Sequence, residues 1–252
     1  MKISQFALIC IFLVVLYSCH SSNELVKFTA RNQDVYTNNN LRSFLKNNPQ
    51  TNVVLRIPNA LEDVTTKTTN DKMISISAQN QTMDIYYNAI EKEFLKAGFS
   101  VRDRGLFNEV LKKMSRDNAE NINYSQIKDL TNTDLIVEVI KINPAIQYVT
   151  NKKYSIDKRG RTIESSSSTE FKEYGASAEF KIILVKNNEM AGTYTFNYAP
   201  CVDGCPISTF HTKAIPKIKF LNSTPAYEGV EKNVMEDFIR KCAQDLITAM
   251  KN

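Results

Sequence analysis

The residue types best suited to chemistry in this sequence are its cysteines, of which Cys201 and Cys205 lie close together around a Val-Asp-Gly turn. Such a pair could form a disulfide, remain as two thiols, or join His211 and Cys242 in a zinc site. The spacing differs from the tight pairs typical of zinc ribbons. In an oxidising compartment we therefore expect a disulfide ahead of thiols and of metal, with Cys242 buried in a helix.

Residues for acid–base or nucleophilic catalysis are sparse. His20 and His211 are the two histidines of the chain, and neither has a nucleophile or carboxylate partner at motif spacing. No phosphate-binding loop, dinucleotide fingerprint or paired-histidine zinc helix occurs. We therefore predict no catalytic residues, no cofactor and no metal, so that the protein is not an enzyme. A catalytic site dispersed along the chain is the alternative left open.

The run Arg102-Asp103-Arg104 is a further candidate, because it follows a predicted strand. It could be a binding site or a local ion-pair and turn device. Asp103 can accept hydrogen bonds from backbone amides while the two arginines remain solvated, which favours the structural turn.

The N-terminus predicts the compartment. Lys2 precedes an apolar core at residues 6–16 that is too short to span a membrane stably. The motif Leu-Tyr-Ser-Cys then ends at Cys19, as in bacterial lipoprotein signals, in which the cysteine sulfur carries a diacylglyceryl group. A plain secretory peptide is the alternative. We favour a lipoprotein signal peptide over residues 1–18 and lipid attachment at Cys19.

Lipidation implies a stable membrane anchor. Each buried methylene of an acyl chain such as palmitate contributes roughly 0.8 kcal/mol, so several chains together hold firmly. No acidic run follows Cys19 to direct export to the cell surface. We therefore predict a protein anchored in the outer membrane and facing the periplasm, an oxidising compartment of the cell envelope.

Composition indicates one globular domain without affinity for nucleic acid. The chain has 252 residues, of which 42% are hydrophobic and 23% are charged. Its net charge of +5 is mild and evenly spread, which argues against nucleic acid. Residues 19–50 are polar and rich in asparagine, and we interpret them as a tether with one short helix at 41–45. The domain is predicted over residues 51–252.

The clearest secondary-structure pattern lies between residues 83 and 111, where the sequence predicts a helix, a tight turn, a strand and a second helix. Gly98 suits a left-handed helix cap, because glycine enters that conformation without a Cβ penalty. Residues 99–101 then alternate as a short strand. The two helical stripes comprise Met83, Tyr86, Tyr87, Ile90 and Phe94, and then Leu106, Phe107, Val110, Leu111 and Met114.

The remaining pattern completes an α/β domain with a mixed β-sheet flanked by helices. Strands are predicted at 53–58 and 135–140, and alternating residues around the Asn187-Asn188 turn predict a hairpin. A short helix is predicted at 123–130 and a long helix at 231–250. The stretch 151–173 is polar, basic and rich in serine. Residues 152–161 within it could contact anionic lipid headgroups or cell-wall polymer, but we favour an ordinary solvated loop there.

These residues carry a resemblance to a known family. The passage Phe-Leu-Lys-Ala-Gly-Phe-Ser-Val-Arg-Asp-Arg at 94–104, with Leu106 and Val110-Leu111 after it, resembles the signature of the curli-secretion-channel (CsgG-type) envelope lipoproteins. The run Thr-Asp-Leu-Ile-Val at 133–137 resembles the next helix-to-strand step of that family. The resemblance implies a mixed-sheet α/β periplasmic domain without catalytic residues.

The resemblance also sets the functional expectation. In the channels, two hairpins per subunit pair around a ring, and they would correspond here to residues 140–178 and 194–220. Prolines interrupt the second of these excursions, which disfavours a complete pore. We expect a non-enzymatic lipoprotein that acts by protein–protein contact in envelope assembly or secretion, with a homo-oligomeric ring as the sharper form. A curli-type secretion pore and an activator of a cell-wall synthase are the alternatives.

Overall fold

A computed structural model describes residues 24–56, 84–117, 124–157, 159–207 and 229–252. The predicted signal peptide, Cys19 and His211 lie outside these ranges. The strands are β1 (Leu25–Val26), β2 (Asp34–Thr37), β3 (Asn52–Arg56), β4 (Ser100–Val101), β5 (Leu135–Ile156), β6 (Thr162–Leu184), β7 (Glu189–Tyr198) and β8 (Cys205–Pro206). The helices are α1 (Asn39–Asn47), α2 (84–96), α3 (Arg104–Asp117), α4 (Tyr124–Thr131) and α5 (Lys232–Lys251), with a 3₁₀ turn at Val185–Asn187.

The fold is mixed α/β, as the sequence predicts. The strand order is β2-β7-β6-β5-β1-β8, and β3 runs parallel to both β5 and β4. The pairs β2–β7, β6–β7, β1–β5 and β1–β8 are antiparallel. A mostly antiparallel sheet with a short parallel section and flanking helices is therefore established.

Tertiary contacts group the chain into two compact units, whereas the sequence predicts one domain over 51–252. The larger unit comprises Ala30–Tyr148, Tyr174–Ala199 and Pro225–Asn252. The smaller unit comprises the chain up to Thr29 together with Val149–Glu173 and Pro200–Thr224. Strands β5 and β6 contribute residues to both units.

The larger unit has helices on both faces of its sheet. Alternate strand residues such as Leu55, Val137 and Phe180 pack with the buried stripes of α1, α2 and α5. The intervening residues, including Val54 and Ile136, pack instead with apolar residues of α3. Because successive strand residues point to opposite faces, these two clusters lie on opposite sides of the sheet.

The predicted end of α2 is confirmed in detail. Gly98 has φ +88°, its N–H donates to Leu95 O at 3.1 Å, and the N–H of Phe99 donates to Phe94 O at 3.1 Å. The Phe94 and Phe99 rings meet edge to face with centroids 5.2 Å apart. These features form a Schellman motif with its apolar contact, which explains why the chain turns directly from α2 into β4.

The stripe predicted on α3 is confirmed in part, because Val110 is half-buried and the side chain of Met114 lies outside the description. Phe107 and Leu111 are buried, but Leu106 is 58% exposed. Leu106 lies in the first turn of the helix, where its backbone N–H binds the preceding Asp103 carboxylate. Its position is thus fixed by capping rather than by side-chain burial.

The short helix expected at 41–45 is confirmed as part of α1, and residues 24–50 of the stretch interpreted as a tether belong to the fold. Strand β2 pairs with β7, and α1 buries Leu41 and Leu45 in the core of the larger unit. Asn38 caps α1 by accepting from Leu41 N at 2.8 Å. The sequence signal is weak because β2 buries one residue of four, Thr37, and its stability comes from backbone pairing with a distant strand.

The solvated loop expected at 152–161 is incorrect in part, because residues up to Ile156 belong to a strand. The strand predicted at 135–140 continues to Ile156, and β6 begins at Thr162, giving strands of 22 and 23 residues. Most side chains of this hairpin beyond residue 148 are exposed. Strands that bury neither face need no apolar alternation, so their sequence resembles that of a loop.

Candidate functional site

One carboxylate organises the turn of the β5–β6 hairpin in the smaller unit. Asp157 accepts hydrogen bonds from the backbone N–H groups of Arg159 and Arg161, each at 2.8 Å. The Arg161 Nε–H adds a third at 2.8 Å. These donors, above all the Arg161 backbone N–H, hold the pKa of Asp157 below its usual value. The turn therefore has a defined conformation although Arg159 and Arg161 are exposed.

Charge pairs also join the strands of the smaller unit. Lys152 Nζ lies 2.8 Å from Glu164 Oε1, and this hydrogen bond raises the pKa of Lys152 and lowers that of Glu164. On the other edge of β5, Lys153 Nζ lies 3.3 Å from Glu24 Oε2. Strand β1 covers that edge only where Leu25 and Val26 pair with β5. Complementary charges thus accompany the backbone pairing on both sides of β5.

The outer part of β6 presents a long unpaired edge, residues 162–170, which we call the hairpin edge. Strand β7 pairs with β6 over residues 176–184. Along 162–170, β5 lies on one side, and no strand of the described chain lies on the other. Eight of these nine residues are exposed, and none is proline. The Thr169 N–H donates to Ser167 Oγ at 3.1 Å, and the strand edge as a whole is a template for pairing with another chain.

Cys201 and Cys205 form a disulfide with a Cα–Cα distance of 5.2 Å. The enclosed turn needs left-handed backbone at Cys201 (φ +51°) and at Gly204 (φ +109°). A Cβ at Gly204 would lie 3.2 Å from Leu25 Cδ1, so glycine also allows close packing on β1. Immediately afterwards Cys205 pairs with Val26 in the sheet. The disulfide therefore shapes the turn that leads into β8.

The other parts of the zinc alternative do not come together in the described structure. Cys242 is a buried thiol in α5, and burial raises its pKa. His211 lies outside the described residues. Within the described ranges no group of histidine, cysteine and acidic residues could hold a metal ion.

The run Arg102-Asp103-Arg104 divides among separate structural contacts. Asp103 Oδ1 accepts from Leu106 N at 2.7 Å and caps α3. Arg102 Nη2 donates to Asn52 Oδ1 at 2.7 Å, which links β4 to the start of β3. The three side chains therefore do not converge on one cavity.

Arg104 points instead towards α2. Its guanidinium carbon lies 5.1 Å from the centroid of the Tyr87 ring, and Nη2 lies 3.6 Å from Asp84 Oδ1. Burial raises the pKa of Tyr87, so the phenol stays neutral. Arg104 thus fastens the start of α3 to α2 through a cation–π contact and a long ion pair.

Removing the Asp103 cap should destabilise the protein modestly. We expect Asp103→Ala to lower the free energy of unfolding by about 1 kcal/mol, because the Leu106 N–H loses its acceptor. Urea unfolding followed by circular dichroism measures the loss. Asp103→Asn keeps an acceptor and should restore most of the stability, and Glu109→Ala on the exposed face of the same helix is the control. Equal loss in the Ala and Asn variants would contradict the capping role.

Glu91 should make the unfolding midpoint depend on pH. Burial raises its pKa above the ordinary value, Arg104 opposes the shift and Asp103 adds to it. A raised folded-state pKa means that the favourable contribution is present at low pH and is lost as the pH rises through that pKa. Glu91→Gln resembles the protonated form, so it should raise the thermal midpoint at pH 7 and change it little at pH 4. A larger gain at pH 4 than at pH 7 would show that the sign is wrong.

Sequence reasoning missed one buried ionic cluster in the larger unit. Glu138 is 4% exposed although it is charged. Its Oε1 lies 3.0 Å from Arg56 Nη1, and Lys181 pairs with Oε2. Arg56 also contacts Tyr124 through its hydroxyl and ring. A glutamate within an otherwise apolar strand is the signal that could have revealed the cluster. Two cations neutralise this carboxylate, which suits a structural tie between β3, β5 and β6.

None of the helices in the described ranges combines the length and apolarity that a membrane span requires. Comparisons with protein-family models, with curated proteins and with solved structures found no match for this chain.

Proposed function

We propose that this protein is a non-enzymatic outer-membrane lipoprotein with a CsgG-like periplasmic domain, acting through protein–protein contacts in envelope assembly or secretion. Its working form in this proposal is a ring of identical subunits. The single observation that carries the proposal is the hairpin edge, a nine-residue unpaired edge on an ordered hairpin. A long exposed strand edge without a neighbouring strand suits a strand-pairing interface.

The charges of the hairpin favour head-to-tail pairing between subunits. The outer part of β5 carries Lys152 and Lys153, whereas the hairpin edge on β6 carries Glu164 and Glu170. Pairing β6 of one subunit with the part of β5 that β1 leaves free in the next brings these glutamates near lysines that, within each subunit, already pair with Glu164 and Glu24. A two-fold contact between two β6 edges would instead bring glutamates together. Head-to-tail contacts that close produce rings.

A secretion pore is the alternative that one observation favours. Strands of 22 and 23 residues exceed the roughly 9–11 residues that a membrane strand needs. Composition opposes it, because a lipid-facing strand alternates apolar and polar residues, and Ile163 is the one apolar residue at 162–170. The second predicted hairpin, at residues 194–220, extends into residues that the structure does not describe. The periplasmic ring is therefore the stronger proposal.

Anchoring and assembly are tested separately on the full-length protein. We expect Cys19→Ala to move the protein from the membrane fraction to the soluble periplasmic fraction, because the acyl anchor is lost. Cys242→Ala changes a different thiol and is the control for retention. Continued membrane association of the Cys19 variant would contradict the anchor.

The assembly itself is examined by negative-stain microscopy and light scattering after extraction in detergent. Rings without a membrane-spanning part support the proposal. Monomers across the working concentration range would contradict it, and rings with a spanning part would favour the pore.

A further inference from the structure

A second surface, in the larger unit, has the features of a ligand site. It is a cleft of about 600 Å³ between the end of α1, the α2–β4 turn and the end of α5. This size lies within the range of roughly 300–1,000 Å³ that is typical of small-molecule sites. We call it the basic cleft, because Arg42, Lys46 and Lys251 line it and no aspartate or glutamate side chain does.

The cations of the basic cleft are not neutralised by the described protein. Arg42, Lys46 and Lys251 form no ion pair with a described carboxylate, whereas ten other lysines and arginines do. Lys251 Nζ donates to Ala97 O at 3.0 Å, which leaves two of its donors available. Three cations around one cleft create a positive potential that attracts anions.

Arg42 is the cation of the cleft that helix capping does not explain. Lys46 and Lys251 lie in the last turns of α1 and α5, where cations complement the helix dipole. Arg42 lies nearer the start of α1, so the dipole does not explain it. Its Nη1 donates to Asn39 Oδ1 at 3.3 Å, but Nε is buried and has no acceptor among the described residues. Arg42 lines the cleft and has no ion-pair partner among the described residues, so its guanidinium retains donors for an acceptor in the cleft.

The walls of the basic cleft offer apolar contact beside these charges. Leu45 and Phe99 are buried core residues that reach the cleft, and Pro49 adds an apolar edge. Lys251 Nζ lies 5.0 Å from the Phe99 ring centroid, so a charge and an aromatic ring are adjacent. A ligand that carries an anionic group beside an apolar group would match both features.

We propose that the basic cleft binds a small ligand bearing a carboxylate or phosphate group attached to an apolar or aromatic group. Arg42 and Lys46 bind the anionic oxygens, with Lys251 contributing a further donor. Leu45 and Phe99 contact the apolar part. This site is independent of the hairpin edge and goes beyond the proposed assembly function.

Isothermal titration of the full-length protein at constant ionic strength tests the site with four probes. The affinities for acetate and benzoate compare a bare carboxylate with an aromatic one. The affinities for inorganic phosphate and phenyl phosphate compare a bare phosphate with an aromatic one. We expect the aromatic member of at least one pair to bind saturably and about tenfold more tightly than its bare counterpart. The stronger pair identifies the anionic group that the cleft prefers.

Three variants locate the binding. Arg42→Gln and the exposed Lys46→Gln should each weaken binding about tenfold, and Lys186→Gln, at an exposed lysine outside the cleft, should leave it unchanged. Circular dichroism and the thermal midpoint check that each variant is folded. If Arg42→Gln does not fold, Lys46→Gln alone tests the cleft. Absence of saturable binding with all four probes would overturn the proposal. Wild-type affinity in a folded cleft variant, or equal weakening by Lys186→Gln, would also overturn it.

Discussion

A proline on the hairpin edge is expected to separate the subunits of the assembly while each subunit stays folded. Successive residues of a strand direct their N–H groups to opposite neighbours. Of Ser166→Pro and Ser167→Pro, one therefore removes an N–H directed outward, and the other removes an N–H directed to β5. The outward substitution should weaken the association of subunits about tenfold in Kd, which corresponds to about 1.4 kcal/mol of binding free energy. Proline has no N–H and cannot donate across the interface.

Light scattering gives the mass of each variant, and circular dichroism gives its folding. The inward variant should unfold the hairpin more readily, so the two neighbouring prolines should differ in their effects. Ser166→Ala and Ser167→Ala retain the backbone donors and are the matched controls. If both proline variants keep the mass of the wild-type assembly, subunits do not pair through the hairpin edge.

Truncation of Phe94 should have the largest effect on stability. This side chain is 0% exposed and supplies the apolar contact of the Schellman motif at the end of α2. Phe94→Ala should reduce the free energy of unfolding by about 3–5 kcal/mol, because it leaves a cavity in the main core cluster of the larger unit. Such a loss is a large part of the roughly 5–15 kcal/mol that stabilises an ordinary domain.

The neighbouring Leu95 provides the control for Phe94. It lies on the same helix and is 56% exposed, so Leu95→Ala should change the free energy of unfolding by no more than about 0.5 kcal/mol. Urea unfolding of both variants measures the contrast. A loss below about 1 kcal/mol for Phe94→Ala, or equal losses for both, would show that α2 is not a central part of the core.

The parts of the fold that sequence reasoning predicted are those in which one face is buried. Helices α2 and α5 and the β6–β7 hairpin each alternate apolar and polar residues with the period of their structure. Gly98 was recognisable because a left-handed cap leaves few residue choices. These signals are local, so each could be interpreted without knowledge of the partner element.

The parts that were missed depend on partners far away in the sequence. Strand β2 at Asp34–Thr37 is held by residues 192–195 of β7, and nothing in its own sequence specifies that pairing. The outer hairpin buries little on either face, so its serines and charged residues resemble a loop. Glu138 was unexpected in a core strand because its two cationic partners come from β3 and β6.

The candidate site shows the same division. Cys201, Cys205 and the Asp103 cap are recognisable as residue types with local roles. The hairpin edge is not, because it exists only where β6 extends beyond the last residue that β7 pairs with. Whether a strand edge is unpaired depends on the lengths of both the strand and its neighbour, here β6 and β7. The amino-acid composition of β6 alone does not predict it.

The most direct test of the central claim joins the two strands that are proposed to meet between subunits. Two differently tagged full-length copies are co-expressed, one carrying Asn151→Cys on β5 and the other carrying Ser167→Cys on β6. Because each copy has one of the two new thiols, a disulfide between the tags forms only between molecules. Mild oxidation of intact membranes should produce a doubly tagged, reducible band, and a control with Lys186→Cys in place of Ser167→Cys should not. Absence of that band, in membranes where both copies are folded and anchored, would contradict assembly through the hairpin edge.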